Sequence, residues 1–236
     1  MKKSLVATLA LLIFLPSQAG EVVKVSTLEW PPYTSALTDK FNESNILVKK
    51  IFKQVNVKAE FNFYPWSRAL MLASNGLVDA LGPEYYSEAR SKDFYYSEPF
   101  YETPLVLVAR KDFPLDSYKE LSFLTKYKIG VVKNYINNEY IDDNNTITKE
   151  NALDDLNNIK KLIAKRIDVI VIDKKVMDYL IEKEGLGHDF KVLEPILERK
   201  KLYVVFPKKK KGSLELRDKF NAGLRKLQLS DRGAHP

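Results

Sequence analysis

The stretch IDVIVIDKKVMDYLIEK, residues 167–183, decides how the chain folds. Ile167 to Ile172 is a nearly continuous apolar run, the pattern of a strand covered on both faces. A helix follows from Lys174 to Lys183, and Gly185 and Gly187 stop it. A buried strand feeding directly into a helix is the unit of an α/β fold, and Asp173 stands at the junction. Just upstream, Tyr127 to Val132 reads as a strand, followed by a polar stretch rich in Asn and Asp from Asn134 to Thr148. Leu153, Leu156, Ile159, Leu162 and Ile163 then mark an amphipathic helix. Downstream, Leu202 to Phe206 is a last strand, and a helix carries Leu216, Phe220, Leu224 and Leu227.

The N-terminal part repeats this grammar. Val22 to Ser26 is a strand broken by Trp30-Pro31-Pro32-Tyr33, and Val48, Ile51, Phe52 and Val55 recur at helical spacing. Glu60 to Tyr64 alternates as a second strand, and Pro65-Trp66-Ser67 opens a helix that Asn75-Gly76 closes. Leu77 to Leu81 is a short strand and Pro104 to Ala109 a longer apolar one. Two β/α blocks imply two α/β lobes with mixed, mostly parallel sheets. The strands at 104–109 and 202–206 bracket the second block, so they form a two-stranded hinge, and the last helix returns to the first lobe. The expected division is residues 20–107 with 204–236 as lobe I and 108–203 as lobe II.

The N-terminus carries an export signal: Lys2 and Lys3, an uncharged stretch from Leu5 to Leu15, Pro16, then Ser17-Gln18-Ala19. Cleavage is expected after Ala19, which places the mature chain in the periplasm. The apolar stretch is shorter than the roughly 20 residues a bilayer span needs. The chain has no cysteine, so disulfides, a thiol nucleophile and a Cys-ligated metal are excluded, as is a lipid on cysteine. Its net charge of +7 falls to +5 without Lys2 and Lys3, 36 basic against 31 acidic residues. Acidic residues are interspersed nearly everywhere; the one dense basic run, Lys208 to Lys211, lies between Pro207 and Gly212 and reads as a solvated turn. Nucleic acid is therefore not an expected partner, and the chain reads as a monomer.

The segment with Pro65-Trp66-Ser67-Arg68-Ala69-Leu70, Gly76-Leu77-Val78-Asp79-Ala80, Ser87-Glu88-Ala89-Arg90 and Phe94-Tyr95-Tyr96-Ser97-Glu98-Pro99 resembles the bacterial extracellular solute-binding proteins of family 3. The resemblance spans about residues 21–230, and with Trp30-Pro31-Pro32-Tyr33 it is similar to a branch whose ligands are mostly unassigned. It implies a two-lobed periplasmic-binding-protein-like fold that closes on a small polar ligand, an amino acid or related carboxylate, for an ABC-type permease. It implies Arg90 as the clamp of a ligand carboxylate, Asp173 as the receiver of its ammonium, and Trp30 and Trp66 as cleft walls. Tyr33, Tyr85, Tyr86 and Arg68 are further candidates, Ser87 offers a hydroxyl, and the Asn134 loop completes the shell.

Each residue also has a plainer reading. Arg90 can be a surface arginine paired with Glu84 or Glu88, Asp173 a helix cap, and the tryptophans lobe core. Three departures from the family pattern bear on the ligand. Ser35 to Asn45 lacks a glycine, Asn134-Tyr135 replaces a common Gly-Thr, and Pro83-Glu84-Tyr85 lacks small serines. Tyr85 narrows the cleft and Glu84 adds negative charge to it. No catalytic signature is present: His188 and His235 are isolated, and neither a Gly-x-Ser-x-Gly elbow nor a phosphate-cradling glycine loop occurs. No cofactor or metal is expected. A sensory module read by a membrane receptor, and a dehydratase-like enzyme on the same fold, are the alternatives.

Overall fold

A computed structural model describes residues 21–187 and 189–233. The expected signal at 1–19 lies outside the described residues, as do His188 and His235. In chain order the elements are β1 (Glu21–Thr27), α1 (Glu43–Lys53), β2 (Val57–Phe63), α2 (Trp66–Ser74), β3 (Ala80–Tyr85), α3 (Glu88–Ser91), β4 (Phe94–Tyr96) and β5 (Tyr101–Arg110). Then come β6 (Lys128–Val132), α4 (Glu139–Asp143), β7 (Thr148–Ala152), α5 (Asp155–Ile163), β8 (Val169–Asp173), α6 (Lys174–Glu184), β9 (Phe190–Pro207) and α7 (Ser213–Gly233).

The strands hydrogen-bond in the order β2-β1-β3-β9-β5-β8-β6-β7, with β4 added on β9. The pairs β1–β2, β1–β3, β6–β7 and β6–β8 are parallel, and every antiparallel pair involves β5 or β9. Two parallel halves are thus joined by two long antiparallel strands, which keep a continuous ladder between them. The β5–β9 register shifts between Leu105 and Leu107, where the pair crosses from one half to the other. Such an irregularity bends a strand locally.

The decisive stretch behaves as its pattern requires: all of Val169 to Asp173 is buried. Asp168, just before β8, accepts a hydrogen bond from the Lys128 backbone at 2.9 Å, which ties β8 to β6. A Cβ on Gly130 of β6 would stand 2.4 Å from Ile167 Cδ1 and 2.8 Å from Asn158 Oδ1, so glycine lets the strand pack this closely without displacing those side chains. Helix α7 returns to the first half, where a Cβ on Gly223 would lie 2.3 Å from the Ile51 carbonyl of α1.

Four element assignments need correction. The third strand, expected at 77–81, runs from Ala80 to Tyr85. Leu77 is 64% exposed, because its N–H closes the end of α2 on the Leu72 carbonyl. The strand expected at 60–64 begins earlier, at Val57. The polar stretch after Asn134 holds α4 and the start of β7, an edge strand that needs few apolar residues. The strand expected at 202–206 is the end of β9, whose middle, Glu198 to Lys201, is too charged to read as a strand.

Candidate functional site

The carboxyl ends of the strands converge between the two halves, the place where open α/β sheets bind ligands. Trp30 and Tyr33 follow β1, Trp66 follows β2, and Glu84 and Tyr85 end β3. From the other half, Asn134 and Tyr135 follow β6, Asp155 follows β7, and Asp173 ends β8.

Two cavities lie between these walls. An inner one of about 30 Å³ is lined by Leu28, Trp30, Trp66, Pro83, Glu84, Tyr85, Tyr135, Ile136 and Leu202. It has room for about one water molecule. A wider mouth of about 730 Å³ opens toward solvent, and Leu28, Trp30, Trp66 and Tyr135 line both spaces. The exposed Leu37 and Leu153 line this mouth too, from opposite halves, with Asp154, Asp155 and Lys183.

The walls are fastened to each other by side chains. The Trp30 indole N–H donates to Asp155 Oδ2 at 3.2 Å, and the Trp66 indole N–H donates to the Asn134 carbonyl at 2.8 Å. Asn134 has φ of 65°, a left-handed conformation that Asn tolerates better than most residues, and its side-chain amide donates to Ser67 Oγ at 3.0 Å. Tyr33 Oη donates to Asp173 Oδ1 at 3.0 Å. Trp30 packs on Tyr33 at 4.7 Å between ring centroids, and Trp66 meets the edge of Tyr135 at 5.9 Å.

Asp173 is the N-cap of α6. It accepts from the backbone N–H groups of Lys175 (2.9 Å) and Val176 (3.2 Å), and from the hydroxyls of Tyr33 and Thr103. Burial raises its pKa, and these donors oppose the rise. Arg90 donates to the Glu84 carboxylate and to the Asn134 carbonyl, and its guanidinium lies 5.7 Å from the Trp66 ring centre. Glu84 is almost wholly buried, and burial pushes its carboxyl up to about 7 against the opposing pull of Arg90. Asp155 is likewise pushed up to about 7, first by burial and then by the neighbouring Asp173 charge.

The nine residues singled out from the sequence fall into distinct places. Trp30, Trp66 and Tyr85 line the inner cavity, with Arg90 and Asn134 bonded around its rim. Tyr33 and Asp173 form a buried pair that lines neither cavity. Arg68 is exposed and stacks on Tyr64 at 5.2 Å, and Ser87 caps α3 by accepting from the Arg90 backbone N–H. Tyr86 is exposed beside Tyr96. Asp155 escaped notice in the sequence, although Asp154-Asp155 at a helix start carried a signal. Only one of two such carboxylates can cap, Asp154 does so, and the other is free to face the cleft.

This architecture, two α/β halves hinged on two strands with a lined cleft between, defines a two-lobed binding protein. The chain belongs to the bacterial extracellular solute-binding proteins, family 3, whose profile matches residues 29–234. Among solved structures it is similar to a histidine kinase sensor domain with similarity to periplasmic binding proteins: TM-score 0.79, 19% identity, 90% of this chain and 92% of that one. It is also similar to an amino acid ABC transporter substrate-binding protein from Streptococcus pneumoniae bound to L-arginine: TM-score 0.72, 20% identity, 89% and 90% covered. A third is a ligand-binding core from Nostoc punctiforme in complex with L-glutamate: TM-score 0.71, 18% identity, 89% and 94% covered. At these identities the likeness is one of fold. A comparison with curated proteins returns no match. Among the described residues no helix is long and apolar enough to cross a membrane.

Proposed function

We propose that this chain is an exported periplasmic binding protein that captures a small polar ligand, an amino acid or a close chemical relative of one, and does no chemistry on it. The observation that carries the reading is the polar contact made across the cleft in the wall of the wider cavity, Trp30 with Asp155. A ligand can enter this contact by offering its own donor to Asp155. Residues 1–19 are removed after Ala19, lobe I is 20–107 with 204–236, and lobe II is 108–203. β5 and β9 serve as the hinge. Capture proceeds by opening of the two lobes, docking, and closure, the behaviour of hinged two-lobed binders. The closed, liganded monomer is then read by an ABC-type permease. The similarity to a histidine kinase sensor domain favours a second reading, in which a membrane receptor reads the same closure.

Thermal melting of the purified protein against amino acids, their amine relatives and small carboxylates tests the reading. A ligand at a hundredfold excess over its Kd stabilises the folded state by about 2.7 kcal/mol. For a chain of this size that is a rise of roughly 5–10 °C. A folded protein that no member of the panel stabilises contradicts it.

A further inference from the structure

The charges nearest the cleft are arranged in an unexpected order. Among the described residues lining the inner cavity, Glu84 is the one charged side chain, and Arg90 lines neither cavity. Glu84 lines that space and holds the guanidinium. Arg90 has one nitrogen on the Glu84 carboxylate, another on the Asn134 carbonyl, and its face toward Trp66. The fork that would grip a ligand carboxylate is already filled by a carboxylate of the chain itself. On the facing wall, Asp155 is buried and takes one hydrogen bond, from the Trp30 indole. Lys133 and Lys183 share the wider mouth with Glu29, Asp154 and Asp155, while Lys175 bonds Tyr101 and Glu43, and Lys200 pairs with Glu198.

We propose that Glu84 is the specificity-determining residue of the cleft: it occupies Arg90, so the site takes small organic cations that lack a carboxylate, amines or guanidines the size of a decarboxylated basic amino acid. The proposal rests on the solute-binding reading above and names its ligand class. The charged nitrogen of such a ligand takes the place of the Trp30 indole N–H at Asp155, while the faces of Trp30 and Trp66 hold it by cation–π attraction. A ligand carboxylate meets the opposite situation. To reach Arg90 it must expel Glu84, leaving a buried carboxylate without its partner, and stranding one member of such a pair lowers affinity by at least about tenfold.

Matched pairs test this: agmatine against arginine and cadaverine against lysine, each pair differing in the carboxylate alone. In calorimetric titrations at pH 8, the wild type is expected to bind the amine of at least one pair ten times or more tighter than its amino acid. In Glu84→Gln the neutral amide releases Arg90, so that ratio shrinks toward one or inverts. A merely structural glutamate would weaken both members alike. If Glu84→Gln does not fold, Asp155→Asn serves instead, with loss of amine affinity expected. Equal affinities, or tighter binding of arginine and lysine, overturn the proposal and leave the solute-binding reading standing. Binding of no member of either pair also overturns it, and the solute-binding reading falls with it only if the wider melting panel is silent as well.

Discussion

The two walls of the cleft differ in kind. The wall built on β1, β2 and β3 presents donors and rings: the indole N–H groups of Trp30 and Trp66, the Tyr33 hydroxyl and the Arg90 guanidinium. The wall built on β6, β7 and β8 presents the acceptors that meet them: Asp155, Asp173 and the Asn134 carbonyl. One amide, from Asn134 to Ser67, and the Lys175 ammonium run the other way. The difference teaches what closes the cleft. A small molecule that carries donors can take the first wall's place against the acceptors, and one that carries acceptors finds the donor wall's strongest group occupied by Glu84.

The largest expected effect breaks the contrast at its most connected point. Asp173→Ala removes the cap of α6 and strands the buried hydroxyls of Tyr33 and Thr103. A loss of about 3–5 kcal/mol is expected in urea unfolding. Tyr33→Phe, which removes one donor and leaves the cap, is expected to lose only about 1 kcal/mol.

The acidic groups sharpen the contrast through pH. Glu84 and Asp155 titrate near 7 in the folded chain, against ordinary values of 4.5 and 3.8. Between those limits the folded state binds protons that the unfolded state does not, so both groups lower stability as pH rises toward 7, and the effect levels off above. Glu84 faces Arg90, Tyr85 and Tyr96; Asp155 faces Trp30, Asp154, Asp173, Tyr85 and Tyr135. Melting curves at pH 5 and pH 8 are expected to differ by roughly 2–3 kcal/mol for each group, and Glu84→Gln and Asp155→Asn each to remove their share. A cation's affinity has the opposite sign: it tightens from pH 5 to pH 8 as both groups ionise.

Trp30→Phe and Trp66→Phe compare the two latches directly. The first leaves Asp155 buried without its donor and is expected to cost about 1–3 kcal/mol. The second leaves the Asn134 carbonyl still served by Arg90, so its cost is nearer 0.5–1.5 kcal/mol. The smallest effect belongs to Arg68→Ala, an exposed change expected to move stability by less than about 0.5 kcal/mol and ligand affinity not at all.

The contrast between the walls was only half legible in the sequence. The donor wall could be read because its residues are rare and conspicuous: two tryptophans beside prolines and an arginine after a short strand. The strand-to-helix junction at Asp173 was legible too, since a carboxylate ending an apolar run must find donors. What hid the rest was pairing across the cleft. Nothing local in Asp154-Asp155 says which carboxylate caps and which faces Trp30. The sequence offered both Glu84 and Glu88 as partners of Arg90, and the turn of β3 into α3, which no local pattern gives, selects Glu84. In the fold, charged Glu198 to Lys201 concealed the middle of β9 for a related reason, since hydrogen bonds to β5 rather than apolar side chains hold it in the sheet.

Because the chain holds two tryptophans, a ¹H–¹⁵N spectrum of the labelled protein shows both latches as two indole signals. The account predicts that a small cation such as agmatine shifts both, the Trp30 signal most, as Asp155 exchanges the indole donor for the ligand. Two indole signals that stay fixed while a ligand demonstrably binds would mean that the cleft between these walls is not where capture occurs.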